Sequence, residues 1–236
     1  MILVSEDNRV LFKNLSIIVP IFNEKENIQN LISHLNIWRQ KGCEVIIVDG
    51  GSQDGSIHYL IKQGFTILIS EKGRAKQMNM GVKYSSCTKL LFLHADTRLP
   101  INADDIVITA LSNKIAIWGR FNVSIYGKSK IFPIISAMIN WRSKITKIAT
   151  GEQAIFVCKE QFEKIGCFIE QPLMEDIELS KTLNKISTPI CLTQKVITSG
   201  RRWEKYGIFS TILLMWKLRL LYWCGVSSQR LSKEYL

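Results

Sequence analysis

Five short segments carry side chains whose types and spacing could do chemistry. Asp49 leaves an apolar run and is followed by Gly50, Gly51 and Ser52. Two glycines permit close backbone approach, so Asp49 can hydrogen-bond the base or ribose of a nucleotide; the same residues also make an ordinary Gly-rich turn with an Asp cap. Leu93-His94-Ala95-Asp96-Thr97 ends a second apolar run. Its carboxylate suits a hard divalent cation that also holds phosphate oxygens, because Mg²⁺ often takes only one or two carboxylates and completes its shell with water and phosphate. Asp96 can equally cap the next helix, and His94 can be a structural hydrogen-bonding group. Gly73-Arg74-Ala75-Lys76 puts two cations at a helix start, where free backbone N–H groups favour a diphosphate, or it is a solvated basic face. Met174-Glu175-Asp176-Ile177-Glu178 crowds three acids into one helical turn. The helix macrodipole alone accounts for such a cluster, whereas one acid placed to take a proton from an attacking hydroxyl is a general base. Ser199-Gly200-Arg201-Arg202-Trp203 offers Arg forks for phosphate and an indole for stacking on a sugar or base, or a cationic rim around a surface Trp.

The elements that must position these groups are legible as patterns. Short apolar runs at Leu15 to Phe22, Glu44 to Val48, Thr66 to Ile69 and Lys89 to Leu93 predict strands, and they alternate with helical patterns at Asn27 to Leu35 and Arg74 to Tyr84. That alternation is the sign of βαβ units and a mainly parallel sheet. Ligands of such sheets bind outside the carboxyl ends of the strands, where the polar segments lie. The second half predicts helices near Ala103 to Ser112, Ile131 to Ile148, Lys159 to Ile165 and Glu175 to Asn184. Strands are expected at Ala116 to Val123, Ala154 to Val157, and two short ones near Ile190 and Val196. An apolar helix from Ile208 to Trp223 ends the pattern. The expectation is one α/β domain, with a sheet flanked by helices and an apolar C-terminal helix.

Composition narrows the function class. The chain has 236 residues, 47% hydrophobic and 22% charged, with 5 Pro and 14 Gly, which excludes disordered and low-complexity classes. A net charge of +11 attracts nucleic acid, an anionic membrane surface or phosphate-bearing substrates. Lys and Arg are spread rather than striped with aromatics, and no nucleic-acid signature is present, which argues against nucleic acid. The six cysteines form no C-x-x-C pair and read as reduced, mostly buried small apolar residues. Charges at Glu6, Asp7 and Arg9 break any signal-peptide run. Uncharged stretches reach only about eleven residues, against about 20 for a spanning helix. A cytoplasmic location is the default expectation.

Taken in order, these segments resemble a family 2 inverting glycosyltransferase of the GT-A fold. The resemblance rests on Ile17-Ile18-Val19-Pro20-Ile21-Phe22-Asn23-Glu24, the Val48 to Gly55 loop, Gly73 to Gly81, Leu93 to Asp96 and Met174-Glu175-Asp176. It is nearest to the radical-SAM/selenodomain-associated subgroup, whose G-R-A-x-Q-M-N, L-H-A-D-T, A-T-G-[DE]-Q-A-I-F, P-L-M-E-D-I-E-L and S-G-R-R-W-E motifs all recur here. The match runs from about Leu15 to Leu231. It implies residues 1–14 as an N-terminal extension, 15–205 as the glycosyltransferase domain and 206–236 as an apolar, basic C-terminal segment.

The resemblance also implies roles. A nucleotide-sugar donor would lie over the strand ends, its nucleoside held by Pro20, Asn23, Glu24, Asp49 and Gly50. Arg74 would lie near the diphosphate, with Asn79, His94, Arg202 and Trp203 completing the donor side. Asp96 would ligate Mg²⁺ or Mn²⁺; the first carboxylate of the family's D-x-D is His94 here. Asp176 would be the catalytic base with Glu175 beside it, and Gly151, Glu152 and Gln153 would face the acceptor. Ser199 stands where processive enzymes carry Gln in Q-x-x-R-W, which argues against a polysaccharide synthase. A lipid-linked acceptor and peripheral contact with the inner face of the cytoplasmic membrane fit the C-terminal helix. The rivals are a sugar-phosphate nucleotidyltransferase, which would need a basic Gly-rich loop after the first strand, and a non-enzymatic basic module that binds membranes or polyanions.

Overall fold

A nine-stranded sheet organises the computed structural model, which describes residues 2–3, 13–113 and 115–235. The first half runs β1 (Ile2–Leu3), β2 (Ser16–Ile21), α1 (Ile28–Gln40), β3 (Glu44–Asp49), α2 (Ser56–Lys62), β4 (Thr66–Ile69), α3 (Arg74–Tyr84) and β5 (Lys89–Phe92). The second half runs β6 (Thr97–Arg98), α4 (Ala103–Ser112), β7 (Trp118–Tyr126), α5 (Phe132–Thr146), β8 (Phe156–Cys158), α6 (Lys159–Lys164), α7 (Glu175–Asn184), β9 (Ile190–Ser199), α8 (Arg201–Tyr206), α9 (Ile208–Trp223) and α10 (Ser228–Tyr235). The strand order is β1-β4-β3-β2-β5-β8-β7-β9-β6.

Strands β4, β3, β2 and β5 are mutually parallel, as the alternating first half predicts. Beyond β5 the sheet is mixed: β8 is antiparallel to β5 and β7, β9 is parallel to β7, and β6 is antiparallel to β9. The two strands expected near Ile190 and Val196 are one strand, β9. Its middle, Thr193-Gln194-Lys195, is polar and exposed, and the pairing with β7 shifts register there, from Arg120 opposite Cys191 to Asn122 opposite Lys195. Within the expected N-terminal extension, β1 pairs antiparallel with β4 at the sheet edge. Glu6, Asp7 and Arg9, on which the reading against a signal peptide rests, lie outside the described residues.

Both faces of the parallel half are buried, so its strands are apolar on alternate residues facing opposite ways. Ile17, Val19, Ile47, Ile67 and Leu91 pack with Leu31, Leu35 and Trp38 of α1, Leu60 of α2 and Val107 of α4. Ile18, Ile46, Val48, Leu68 and Leu90 pack with Ala75, Met78 and Val82 of α3, Phe162 of α6, and Leu179 and Leu183 of α7. The second layer brings the starts of α3 and α7 to the carboxyl edge of the sheet.

Helix α3 lies close on the sheet because Gly81 has no side chain. A Cβ there would stand 2.5 Å from Ile18 Cγ2 and 3.2 Å from Val48 Cγ2. Gly81→Val is therefore expected to overpack this layer at a cost of about 1–3 kcal/mol, read as a lowered thermal midpoint. An unchanged midpoint would contradict this packing.

Candidate functional site

The carboxyl ends of β2 and β5 open into a cavity of about 680 Å³, within the roughly 300–1,000 Å³ of small-molecule sites. Its floor holds Pro20, Glu24, His94, Asp96 and Arg74 from the strand ends and the start of α3. Gln77, one turn into α3, is buried and donates through Nε2 to the carbonyls of Ile21 at 2.8 Å and Val48 at 2.7 Å. That clamp fixes the ends of β2 and β3 beside the cavity. The sequence motif contains Gln77, but no charge or spacing singles it out.

Five carboxylates, Glu24, Asp96, Glu152, Glu175 and Asp176, meet the cavity or its side pocket. Burial pushes the Glu24 carboxyl up, opposed by Arg201 at 3.5 Å and reinforced by Asp96. Glu24 and Asp96 are thus near enough to interact, and both line the cavity. Among the described residues no three His, Cys, Asp or Glu side chains converge as a metal cluster. The donor set fits a divalent cation that takes most of its ligands from water and phosphate, not one caged by protein. Burial and the Arg74 charge hold the His94 imidazole below its ordinary value, so it is neutral at pH 7.

Asp176 lies at the start of α7 in a small pocket that shares Arg74, Thr150, Glu152, Met215, Arg219 and Tyr235 with the main cavity. Asp176 Oδ2 accepts from the Gly151 amide at 2.9 Å, and Oδ1 accepts from the Ile177 amide at 2.8 Å. Two backbone donors fix its rotamer, yet each oxygen keeps a lone pair free. Glu175 beside it is buried and lies 3.8 Å from Arg74 Nε. Burial pushes the Glu175 carboxyl up to about 7, with Arg74 opposing the shift and Asp176 adding to it. Met174, just before this helix, has φ 67°, and Asn23 and Ala154 at the other edges have φ 52° and 47°. Left-handed backbone is uncommon in residues other than glycine, and three cases flank this site.

Several expected residues do not reach the cavity. Asp49 is fully buried and spends its carboxylate on its own loop, accepting from the amides of Gly51 at 2.7 Å and Ser52 at 2.9 Å. Asn23 braces that loop, its Oδ1 accepting from the Gln53 amide at 2.9 Å. Gly50 packs on the Gln77 side chain, which a Cβ would approach to 3.1 Å. Asn79 faces away and exchanges hydrogen bonds with the backbone of Phe168. Gln153 is buried beneath the 151–153 turn, where its Oε1 accepts from the Thr150 amide. Its neighbour Glu152 does face the cavity, and Gly151 supports the His94 ring. Trp203 and Arg202 line the cavity, but Arg202 is engaged by α10: Nη2 donates to the Tyr235 carbonyl at 2.9 Å and the guanidinium lies 3.7 Å from the Tyr235 ring centre.

The opposite wall comes from α5 and α9, which the polar motifs do not announce. Met138, Trp141 and Arg142 of α5 and Met215, Trp216 and Arg219 of α9 line it. Nothing in the local sequence of α5 sets Arg142 apart, since Asn140, Lys144 and two serines share the helix. All six cysteines are free, but the expected burial holds only for Cys43 and Cys87; Cys158, Cys167 and Cys191 are half-buried and Cys224 is exposed.

A model of the family described as Glycosyl transferase family 2 matches residues 16–159. A protein of Mycobacterium tuberculosis named an uncharacterized glycosyltransferase is 34% identical over 238 residues, covering 94% of this chain and 89% of its own length. The poly-beta-1,6-N-acetyl-D-glucosamine synthase of Staphylococcus aureus is 26% identical over 218 residues, 88% of this chain but only 46% of the synthase. Among solved structures, residues 1–349 of S. aureus TarS in complex with UDP-GlcNAc share the fold with a TM-score of 0.61 and 16% identity, covering 79% of this chain and 58% of that one. The mannosyltransferase PcManGT of Pyrobaculum calidifontis, in complex with GDP-Man and Mn²⁺, gives a TM-score of 0.57 and 20% identity, covering 78% and 56%. The chain thus spans less than two thirds of either structure, and the likeness to them is one of fold. From the family match and the relative that aligns along nearly its whole length, the chain belongs to glycosyl transferase family 2 and is a glycosyltransferase.

Proposed function

We propose that this glycosyltransferase moves a sugar from a nucleotide-sugar donor to an acceptor hydroxyl in one displacement that inverts the anomeric centre. Within the family we assign it to the radical-SAM/selenodomain-associated subgroup whose motifs it resembles. The observation that carries the reading is Asp176, held by two amides beside a cavity that also contains Asp96 and Arg74. The donors bound to TarS and PcManGT, UDP-GlcNAc and GDP-Man, support a nucleotide sugar over the strand ends.

In this reading Asp176 takes the proton from the acceptor hydroxyl as its oxygen bonds to the anomeric carbon. The bond from that carbon to the diphosphate breaks, and its electron pair leaves with the nucleoside diphosphate. Glu175, Glu24 and Glu152 also border the cavity or its side pocket, and burial raises the Glu175 and Glu24 carboxyls. Arg74 places positive charge where the leaving group develops negative charge. Neutral His94 fills the site of the missing carboxylate without adding charge. Asp96 would hold Mg²⁺ or Mn²⁺, which would supply Lewis-acid stabilisation of the leaving group. The Mn²⁺ in PcManGT supports that assignment.

We further place the enzyme in the cytoplasm, peripherally on an anionic membrane surface. No described helix is long and apolar enough to cross a membrane. Yet Phe209, Leu213, Trp216, Leu220 and Trp223 form an exposed stripe along α9, with Phe209 72% and Trp223 82% exposed. Ile134, Met138, Trp141 and Ile145 form a second exposed stripe on α5 at the same helical spacing. Trp and long apolar side chains next to Lys and Arg are the composition of interfacial helices.

Asp176→Asn is expected to lower turnover by about 10²–10⁴-fold, the usual share of a general base, with donor affinity retained; near-normal turnover when chemistry limits the rate removes the base assignment. Chelation with EDTA and Asp96→Asn are each expected to cost on the order of 10²-fold or more, since leaving-group stabilisation by a cation is worth several kcal/mol. Full activity after both would remove Asp96 from that role. In vesicle sedimentation the protein is expected to pellet with vesicles containing an anionic phospholipid. Changing Phe209, Leu213 and Trp223 together to Ser should weaken that binding by about tenfold or more, given roughly 0.8 kcal/mol per buried methylene; equal pelleting contradicts membrane contact.

A further inference from the structure

Arg142 is placed as though something is to be delivered to it. It lies on α5 in the wall of the cavity across from the strand ends. Its Nε and Nη2 are shielded from solvent and have no hydrogen-bond partner among the described residues. Burying a charged donor without an acceptor is unfavourable, and native structures rarely leave such groups unpaired without reason. Burial and then the charge of Arg219 lower its pKa to about 10, so it remains a cation at pH 7. Arg219, on α9, lines the same cavity. Neither arginine has a carboxylate within ion-pair distance among the described residues. Arg142, with two open donors, feels the charge of Arg219 as well as those of Glu152 and Asp176, and a guanidinium with open donors beside a second one suits a phosphate, with its several acceptor oxygens.

The surroundings define the rest of the ligand. Met138 and Trp141 flank Arg142, and Met215 and Trp216 flank Arg219. Trp141 and Trp216 are 69% and 58% exposed, so the apolar side of the subsite opens at the cavity mouth, beside the α5 and α9 stripes. Arg219 also lines the small pocket that contains Asp176. A phosphate held there would set a neighbouring hydroxyl of the same molecule toward the Asp176 carboxylate.

We propose that the acceptor is a phosphorylated amphiphile, its phosphate held between Arg142 and Arg219 and its hydrocarbon lying along Met138, Trp141 and Trp216. This rests on the reading above in that the strand-end side of the cavity is left to the donor. The shared chemistry, an anionic phosphate joined to hydrocarbon, covers both a lipid headgroup and a soluble alkyl phosphate.

Direct binding to the full chain tests this without turnover, with octyl phosphate, inorganic phosphate and octyl glucoside as probes in calorimetry. Octyl phosphate is expected to bind at least about tenfold more tightly than either of the other two. Arg142→Gln and Arg219→Gln should each weaken it by about tenfold or more, as for charge-assisted hydrogen bonds. The ligand-free Arg142→Gln protein should melt no lower than the parent, because the arginine has no structural partner to lose. Asp176→Asn should bind octyl phosphate normally, so failure of the base assignment is read separately. Dioleoylphosphatidylglycerol vesicles that displace octyl phosphate would identify a lipid headgroup as the source; no displacement would identify a soluble ester. The proposal is overturned if octyl phosphate does not bind, if inorganic phosphate binds equally well, or if neither substitution matters. Competition of octyl phosphate with a bound nucleoside diphosphate would overturn it too, by giving the arginine pair to the donor.

Discussion

The amide of Gly151 donates to Asp176 Oδ2 at 2.9 Å, while its bare Cα lies against the His94 ring, where a Cβ would come within 2.3 Å of Nε2. Three segments distant in sequence meet at this one residue: the end of β5, the 151–153 turn and the start of α7. Moving the turn outward by the width of a methyl group would separate the candidate base from the strand-end carboxylate. Thr150 and Gln153 hold the turn in place by a reciprocal capping box, and the buried Gln153 reaches on toward the Phe121 carbonyl of β7. The mixed half of the sheet thus has a function distinct from that of the parallel half. Strands β2 and β5 present the groups expected to face the donor, and β7 and β8 carry the turn that brings Asp176 to them.

The parallel half was legible because a strand buried on both faces must be apolar at every position, and polar residues mark where it stops. Ser16–Ile21, Glu44–Asp49 and Arg74–Tyr84 lie where the pattern puts them. The apolar pattern breaks β9 in two because Thr193, Gln194 and Lys195 are exposed polar residues at an irregularity in its pairing with β7. Helices α2, α8 and α10 are short and amphipathic, without an apolar run to announce them. Among site residues, Asp96, Arg74, Glu24, Glu152 and Asp176 reach the cavity or its adjoining pocket, because their position at element ends is written in local sequence. Asp49, Asn23 and Gln153 are equally polar, but their oxygens are occupied by nearby amides, and only three-dimensional pairing distinguishes the two cases. Arg142 and Arg219 are not legible as site residues, since the side of α5 or α9 that meets the cavity is set by tertiary packing.

The charge of +11 also takes a structural meaning. From Gly200 onward the chain has seven Lys and Arg against two acids. These residues do not form one patch. Arg201 pairs with Glu24 at the cavity rim, Arg202 stacks on Tyr235, Arg219 turns inward, and Lys217 pairs with Glu234 at 2.7 Å. The C-terminal helices thus close one side of the cavity with cations inside and leave aromatic and aliphatic side chains outside. Such an arrangement suits anionic substrates that arrive from an apolar surface.

The central claim is that one cavity, assembled around Gly151, takes the donor from the strand-end side with Asp176 at its edge. A crystal structure of the protein with a nucleoside diphosphate and Mn²⁺ tests it most directly. The account predicts diphosphate density beside Arg74 with the cation on Asp96, the Gly151 to Asp176 hydrogen bond intact, and the α5 and α9 wall free of nucleotide. Nucleotide bound outside this cavity, or diphosphate seated on Arg142 and Arg219 instead, would contradict it.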